Sequence, residues 1–179
     1  MRNFLQIGHV DSVPTLAALA TMPDLWNENT LRTRHHATAH AEADDIWLQF
    51  NRLPDNPAEV VDDTVVFPYP AWDALPHLRG HVLDLMRRVD GVRLGRVILT
   101  RLAPGKRIYP HIDGGAPAEY YTRYQIALQS LPGCIFRAGD ETVQFQSGSV
   151  WWFNNRIEHE IINNSADDRI VCIVDIHRC

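Results

Sequence analysis

Long apolar runs are missing from this 179-residue chain, and so are paired cysteines and blocks of basic residues. No apolar stretch approaches the roughly 20 residues that cross a bilayer, and Met1 to Gln6 lacks the apolar core of a secretory leader. The cysteines Cys134, Cys172 and Cys179 are odd in number and contain no Cys-x-x-Cys pair. They read as free thiols of a reducing compartment. Lys and Arg number 17 against 22 Asp and Glu, a net charge of −5, and no basic run is longer than Arg87-Arg88. Such a surface lacks the electrostatic footprint that a phosphate backbone demands, which argues against nucleic acid as a partner. The expectation is a soluble cytoplasmic protein with no membrane segment. With 45% apolar content, the chain suits a single domain, 1–179, with a sizeable core.

Periodicity divides that domain in two. Residues 1–90 read as loops, edge strands and supporting helices: a strand at Phe4 to Ile7, a helix at Val13 to Ala20 capped by Asp11 or Ser12, and a long loop from Asn27 to Asp44. A strand at Ile46 to Phe50 and a second loop at Asn51 to Asp63, with Pro54, Asn56 and Pro57, follow. Phe67-Pro68-Tyr69-Pro70 reads as a rigid connector, and Trp47 and Trp72 as packing residues. From Trp72, the apolar positions Leu75, Leu78, Val82, Leu85, Met86 and Val89 recur at helical steps and predict the best helix, which Gly91 ends.

Residues 91–179 read as short strands with turns at Pro104-Gly105, Gly114-Gly115, Leu131-Pro132-Gly133, Gly139-Asp140 and Ser147-Gly148. The predicted strands are Val97–Leu102, Arg107–Asp113, Tyr121–Ser130, Cys134–Ala138, Thr142–Gln146, Ser149–Phe153, Glu158–Ile162 and Asp168–Ile176. Their spacing argues a mainly β, double-sheet jelly roll.

One constellation in that half carries chemistry. About one His-x-Asp/Glu is expected by chance at this composition, and three occur, at His9, His40 and His111. Only His111-Ile112-Asp113 has an apolar strand upstream, a second histidine, His159, 48 residues on, and Arg169 ten residues beyond that. On a regular strand Tyr109, His111 and Asp113 share a face, with the two ligands about 6.5 to 7 Å apart at Cα. Two imidazoles and a carboxylate can hold one face of an octahedral Fe(II) and leave three positions open for a co-substrate and O2.

The order His-x-Asp, Leu-Pro-Gly-Cys-x-x-x-Arg, Gly-Asp-Glu-Thr, Gly-x-Val-x-x-Phe-Asn-Asn-x-x-Glu-His-Glu and Arg-x-x-x-x-Val-Asp, from about Val97 to His177, resembles the aspartyl/asparaginyl β-hydroxylase family of Fe(II)/2-oxoglutarate dioxygenases. The resemblance covers a little under half the chain. It implies a cupin-like double-stranded β-helix and iron held by the catalytic His111, Asp113 and His159. It further implies 2-oxoglutarate held by Arg169, with Thr100 presenting a hydroxyl to the same far carboxylate. The reaction it implies is hydroxylation of an amino-acid side chain with release of succinate and CO2. Some members, the vertebrate aspartyl hydroxylase among them, have Gly in place of Asp113; the carboxylate here points to a full facial triad and away from halogenation. Where those relatives place a His near the C1 carboxylate of 2-oxoglutarate, this chain has Ala127, so that contact comes from Gln125 or Gln129 or is absent.

A guanidinium suits a planar, bidentate grip on a buried carboxylate; the bland alternative for Arg169 is a surface pair with Asp167 or Asp168. Tyr109, Arg123, Gln125 and Trp152 are the candidate substrate residues, although Arg123 can equally pair with Glu119 at the surface. His35, His36 and His40 read either as a second metal site or as a loop over the first, the loop being favoured. The substrate is then a free amino acid, a peptide or a protein. The competing readings are a cupin-like metal-binding or sensor module without 2-oxoglutarate turnover, and a cupin-type dioxygenase or isomerase needing no co-substrate.

Overall fold

The N-terminal half supplies edge strands and a helical backing. In the computed structural model, which describes residues 2–53 and 62–179, it folds as β1 (Phe4–His9), α1 (Val13–Thr21), α2 (Leu31–Arg34), β2 (Asp44–Phe50), β3 (Phe67–Pro68), α3 (Ala71–Ala74) and α4 (Pro76–Arg88). The loop expected at Asn51 to Asp63 lies largely outside the described residues. The N-terminus of α1 is held by Asp11, whose Oδ1 accepts the Val13 N–H at 3.0 Å; Ser12 makes no side-chain cap. The stretch read as one loop from Asn27 to Asp44 contains the single turn α2.

The apolar stripe behaves as its spacing predicts. Leu75, Leu78, Val82 and Leu85 are at most 4% exposed, and α4 begins on Pro76, where a missing N–H costs nothing. Its end differs from expectation. Asp90 takes the left-handed conformation (φ 54°), while Gly91 opens the next strand. There a Cβ would come within 2.5 Å of Ile176 Cγ2, so Gly91 is set by close packing.

The C-terminal half runs β4 (Gly91–Leu102), β5 (Arg107–His111), α5 (Gly115–Tyr120), β6 (Thr122–Gln129), β7 (Cys134–Ala138), β8 (Glu141–Val143), β9 (Ser149–Phe153), β10 (His159–Asn163) and β11 (Arg169–Arg178). A seven-stranded sheet, β1-β9-β6-β11-β4-β2-β3, faces a four-stranded sheet, β5-β10-β7-β8, with every pairing antiparallel. From β4 onward the chain shuttles between the two sheets, which is the double-stranded β-helix. Strand parity then sorts the large sheet. Tyr124, Ile126, Leu128, Val150, Cys172 and Val174 join the helix-side core, while Ala127, Phe153 and Val171 pack between the sheets with Phe136 and Ile161.

Candidate active site

His111 closes β5 and His159 opens β10, and the antiparallel register sets them directly opposite each other. Their ring centroids lie 4.3 Å apart. Asp113 follows two residues past the end of β5, its Oδ1 3.7 Å from His111 Nε2. One ligand atom from each of the three lies within 4.8 Å of the others, and no further His/Cys/Asp/Glu group of this kind occurs among the described residues. An ion bonded to all three at about 2.1 Å needs them drawn together by only a fraction of that spacing.

The donor chemistry fits a divalent metal. His111 Nδ1 lies 2.7 Å from the Tyr109 carbonyl and His159 Nδ1 lies 2.9 Å from the Ile157 carbonyl. A carbonyl only accepts, so both Nδ1 atoms carry hydrogen and both Nε2 lone pairs are left for the metal. Burial lowers the pKa of His159 to about 4, only partly offset by Asp113, which keeps the ring neutral. Burial opposes ionisation of Asp113, but Arg123, His159 and the Asn155 amide outweigh it and hold the carboxyl below its usual range.

Arg169 reaches the same cavity from β11. It is 3% exposed, its Nη2 donates to Gln125 Oε1 at 3.0 Å, and its guanidinium lies 5.8 and 5.9 Å from the Phe136 and Phe145 ring centres. None of the ion pairs among the described residues includes it. The surface alternative is excluded: Asp168 faces Arg101 at 3.8 Å, and Asp167 accepts the Asp168 N–H. A buried guanidinium whose neighbours are the Gln125 amide oxygen, the Cys134 thiol and two aromatic rings, with no carboxylate among the described residues, has the chemistry to take an anion.

Two expected cavity residues, Tyr109 and Trp152, face elsewhere, and two, Arg123 and Thr100, line the cavity with their polar groups engaged by other partners, each for a local reason. Tyr109 does not share the face of His111. The register slips between His159 and Ile161, pairing them with His111 and Ile108, so an extra residue in β5 turns Tyr109 outward, where its hydroxyl donates to Glu42 Oε1 at 3.0 Å. Trp152 belongs to the helix-side core, whereas Trp151 and Phe153, its neighbours in β9, face between the sheets. Arg123 pairs with Asp113 and Asp175 rather than Glu119, and both ends of its fork are occupied. Thr100 lines the cavity but gives its proton to Asp45 Oδ1 at 2.9 Å.

Of the two glutamines offered for the C1 carboxylate, Gln125 lines the cavity and Gln129 is turned to the Asp168 carbonyl. The histidines of the N-terminal loop separate too. His35 and His36 are exposed, and His40 stands edge-on to His111 with centroids 4.9 Å apart.

Sequence reasoning missed the buried Arg32–Asp45 pair, whose Nη1 reaches both carboxylate oxygens at 2.8 and 2.7 Å, and the role of Asn155, whose Nδ2 donates to Asp113 Oδ2 at 3.0 Å. Asp175, the one acidic residue of an otherwise apolar stretch at 170–176, was the one such partner with a signal in the sequence.

A sequence model described as aspartyl/asparaginyl beta-hydroxylase matches residues 20–179. The chain belongs to this family. It is 28% identical over 97 residues to the aspartyl/asparaginyl beta-hydroxylase of Mus musculus, covering 53% of this chain and 13% of that relative; the chain thus spans about an eighth of the relative's length. Among solved structures it is similar to a 2OG-Fe(II) oxygenase family oxidoreductase from Burkholderia pseudomallei, with TM-score 0.59 and 12% identity over 98% of this chain and 94% of that one. It is also similar to a viral collagen prolyl hydroxylase from Paramecium Bursaria Chlorella virus-1, with TM-score 0.60 and 9% identity over 99% and 97%. At those identities the likeness is one of fold.

Proposed function

We propose that this family member is an Fe(II)/2-oxoglutarate-dependent dioxygenase that hydroxylates an amino-acid side chain and releases succinate and CO2. The observation that carries the reading is Arg169, a buried cation without a carboxylate partner among the described residues, lining the cavity that His111 and His159 also line. His111, Asp113 and His159 would hold the iron. When bound there, Fe(II) supplies the coupling of O2 reduction to oxidative decarboxylation of the 2-oxo acid.

The chain's own groups set up that chemistry. Arg169 takes the far carboxylate, and its hydrogen bond to Gln125 fixes the plane in which its other N–H groups are presented. Gln125 has an amide nitrogen left to donate toward the 2-oxo acid. Thr100 shapes the wall, its hydroxyl proton committed to Asp45. His40 covers His111 from the side of the N-terminal loop. It is kept neutral by burial and by Arg32, so it adds no further positive charge beside the metal.

The substrate class is an amino acid, free or within a peptide or protein, and the free thiols Cys134, Cys172 and Cys179 suit a reducing, cytoplasmic setting. Anaerobic titration with Fe(II) and 2-oxoglutarate tests the reading. A metal-to-ligand charge-transfer band that Arg169→Ala abolishes is the expected result; a folded, iron-loaded protein with no band would instead favour a metal-binding module. Succinate release stimulated by one amino acid or peptide, with a mass gain of one oxygen atom, would identify the substrate.

A further inference from the structure

Arg123 is the one cavity-lining cation held between two carboxylates. Its Nε and Nη2 bind Asp175 Oδ1 and Oδ2 at 2.7 and 2.9 Å, and its Nη1 binds Asp113 Oδ2 at 2.7 Å. The β6–β11 register sets Arg123 directly across from Asp175, whose side chain is 2% exposed. The guanidinium is therefore anchored in the large sheet before it reaches Asp113, which hangs beyond the last strand residue of the small one. Asn155 completes the hold: its Nδ2 donates to Asp113 Oδ2 at 3.0 Å and its carbonyl accepts the Asp113 N–H at 3.2 Å. Two donors thus occupy Oδ2, while Oδ1 faces His111 Nε2.

We infer that Arg123 is a positioning residue that straps the two sheets together across the metal site and, with Asn155, restricts Asp113 to binding the metal through Oδ1 alone. The inference rests on the proposed iron site. Its consequence follows from counting positions. Six-coordinate iron with three protein ligands has three places left, two for a chelating 2-oxo acid and one for O2. A carboxylate free to bind through both oxygens would take the third. Arg123 therefore acts on the reaction through Asp113, without touching substrate, and the two oxygens of the Asp175 carboxylate hold two corners of its fork so that a substrate carboxylate cannot draw it away.

The test reads metal binding with no co-substrate present. Mn(II) affinity is measured by calorimetry, and coordination at the site by the visible spectrum of the Co(II)-loaded protein. Arg123→Met is expected to weaken Mn(II) binding about 10- to 100-fold and to change the Co(II) spectrum; Arg123→Lys, which keeps the charge but cannot bridge both carboxylates, recovers part of each. Leu78→Ala, whose core lies on the far face of the large sheet, leaves both at wild-type values. A folded Arg123→Met protein with wild-type Mn(II) affinity and an unchanged Co(II) spectrum overturns the inference. If that variant does not fold, Arg123→Lys decides it by the same two readouts, unchanged values again counting against. Failure of the wild-type protein to bind either ion overturns the underlying metal reading itself.

Discussion

Arg169→Met should make the metal-free protein more stable while sharply weakening co-substrate binding. The side chain is 3% exposed, and its compensation is a hydrogen bond to Gln125 at 3.0 Å, the neighbouring Cys134 thiol and two aromatic ring faces with centroids near 6 Å. Burial lowers its pKa, with the Cys134 thiol beside it the opposing influence. Replacing under-compensated buried charge by an apolar side chain of similar length typically gains about 1–4 kcal/mol. At about 2–4 °C per kcal/mol for a chain of this size, the expected rise in melting temperature is on the order of 2–16 °C. Removing one partner of a buried, hydrogen-bonded charge pair costs the complex about 2–5 kcal/mol, or roughly 30- to 4,000-fold in 2-oxoglutarate affinity. Thermal unfolding with and without Mn(II) plus 2-oxoglutarate reads both. Wild-type protein at 100 times its dissociation constant gains about 2.7 kcal/mol from ligand, and the variant at the same concentration gains at most about 0.9 kcal/mol. An Arg169→Met protein that melts lower than wild type, or keeps the full ligand-induced rise, refutes the assignment of Arg169 as a cation held for an anion.

Three further outcomes follow from the same coordinates. His159 titrates at about 4 in the fold against about 6.5 in an unfolded chain, so the unfolded state binds more protons between those values. Metal-free stability is therefore full above pH 6.5 and is lost as pH falls toward 4, by up to about 3 kcal/mol; urea midpoints should fall less steeply over that range for His159→Gln, and parallel profiles would contradict the argument. Leu78, fully buried under α4, should cost about 2–5 kcal/mol when cut to Ala without altering Mn(II) affinity, since its core lies on the far face of the large sheet. Tyr109→Phe loses one half-exposed hydrogen bond to Glu42, worth at most about 1 kcal/mol, and should leave succinate release unchanged; a large loss of turnover at unchanged stability would return Tyr109 to the substrate.

The strands were legible because alternation reports burial directly. The two faces of β6 appear in the structure as read, with Arg123 and Gln125 toward the cavity and Tyr124, Ile126 and Leu128 toward the helices. The stripe of α4 was legible for the equivalent reason at helical period. What alternation cannot report is an interruption in itself. The trace left by the extra residue in β5 is Pro110, a bulge signal that alternation does not read, so strict parity gives Tyr109 the face that Ile108 occupies. For Trp152 the pattern was present, since β9 alternates and Phe153 is the inward residue. Partners distant in sequence were the hardest to foresee. Asp175 lies 52 residues from Arg123 and Asn155 lies 42 from Asp113, and only the register of β6 on β11 and the corner before β10 bring them together.

The charges around the cavity explain why these partners matter together. The guanidiniums of Arg32, Arg123 and Arg169 line the pocket, and the carboxylates of Asp45, Asp113 and Asp175 stand beside the first two. The formal charges of the six sum to zero, but their distribution is uneven. Arg32 is matched by Asp45, Arg123 has two carboxylates, and Arg169 has none. The pocket is therefore negative at Asp113, where a divalent cation would sit, and positive at Arg169, where a dianion would end. An Fe(II) ion and a 2-oxoglutarate dianion together add no net charge, whereas either alone leaves two units uncompensated in a low-dielectric interior. Each should thus favour the other's binding, and by linkage to the same degree. On this account the apparent excess of carboxylate around Arg123 and the isolation of Arg169 are two halves of one dipole, built to receive a cation and an anion side by side.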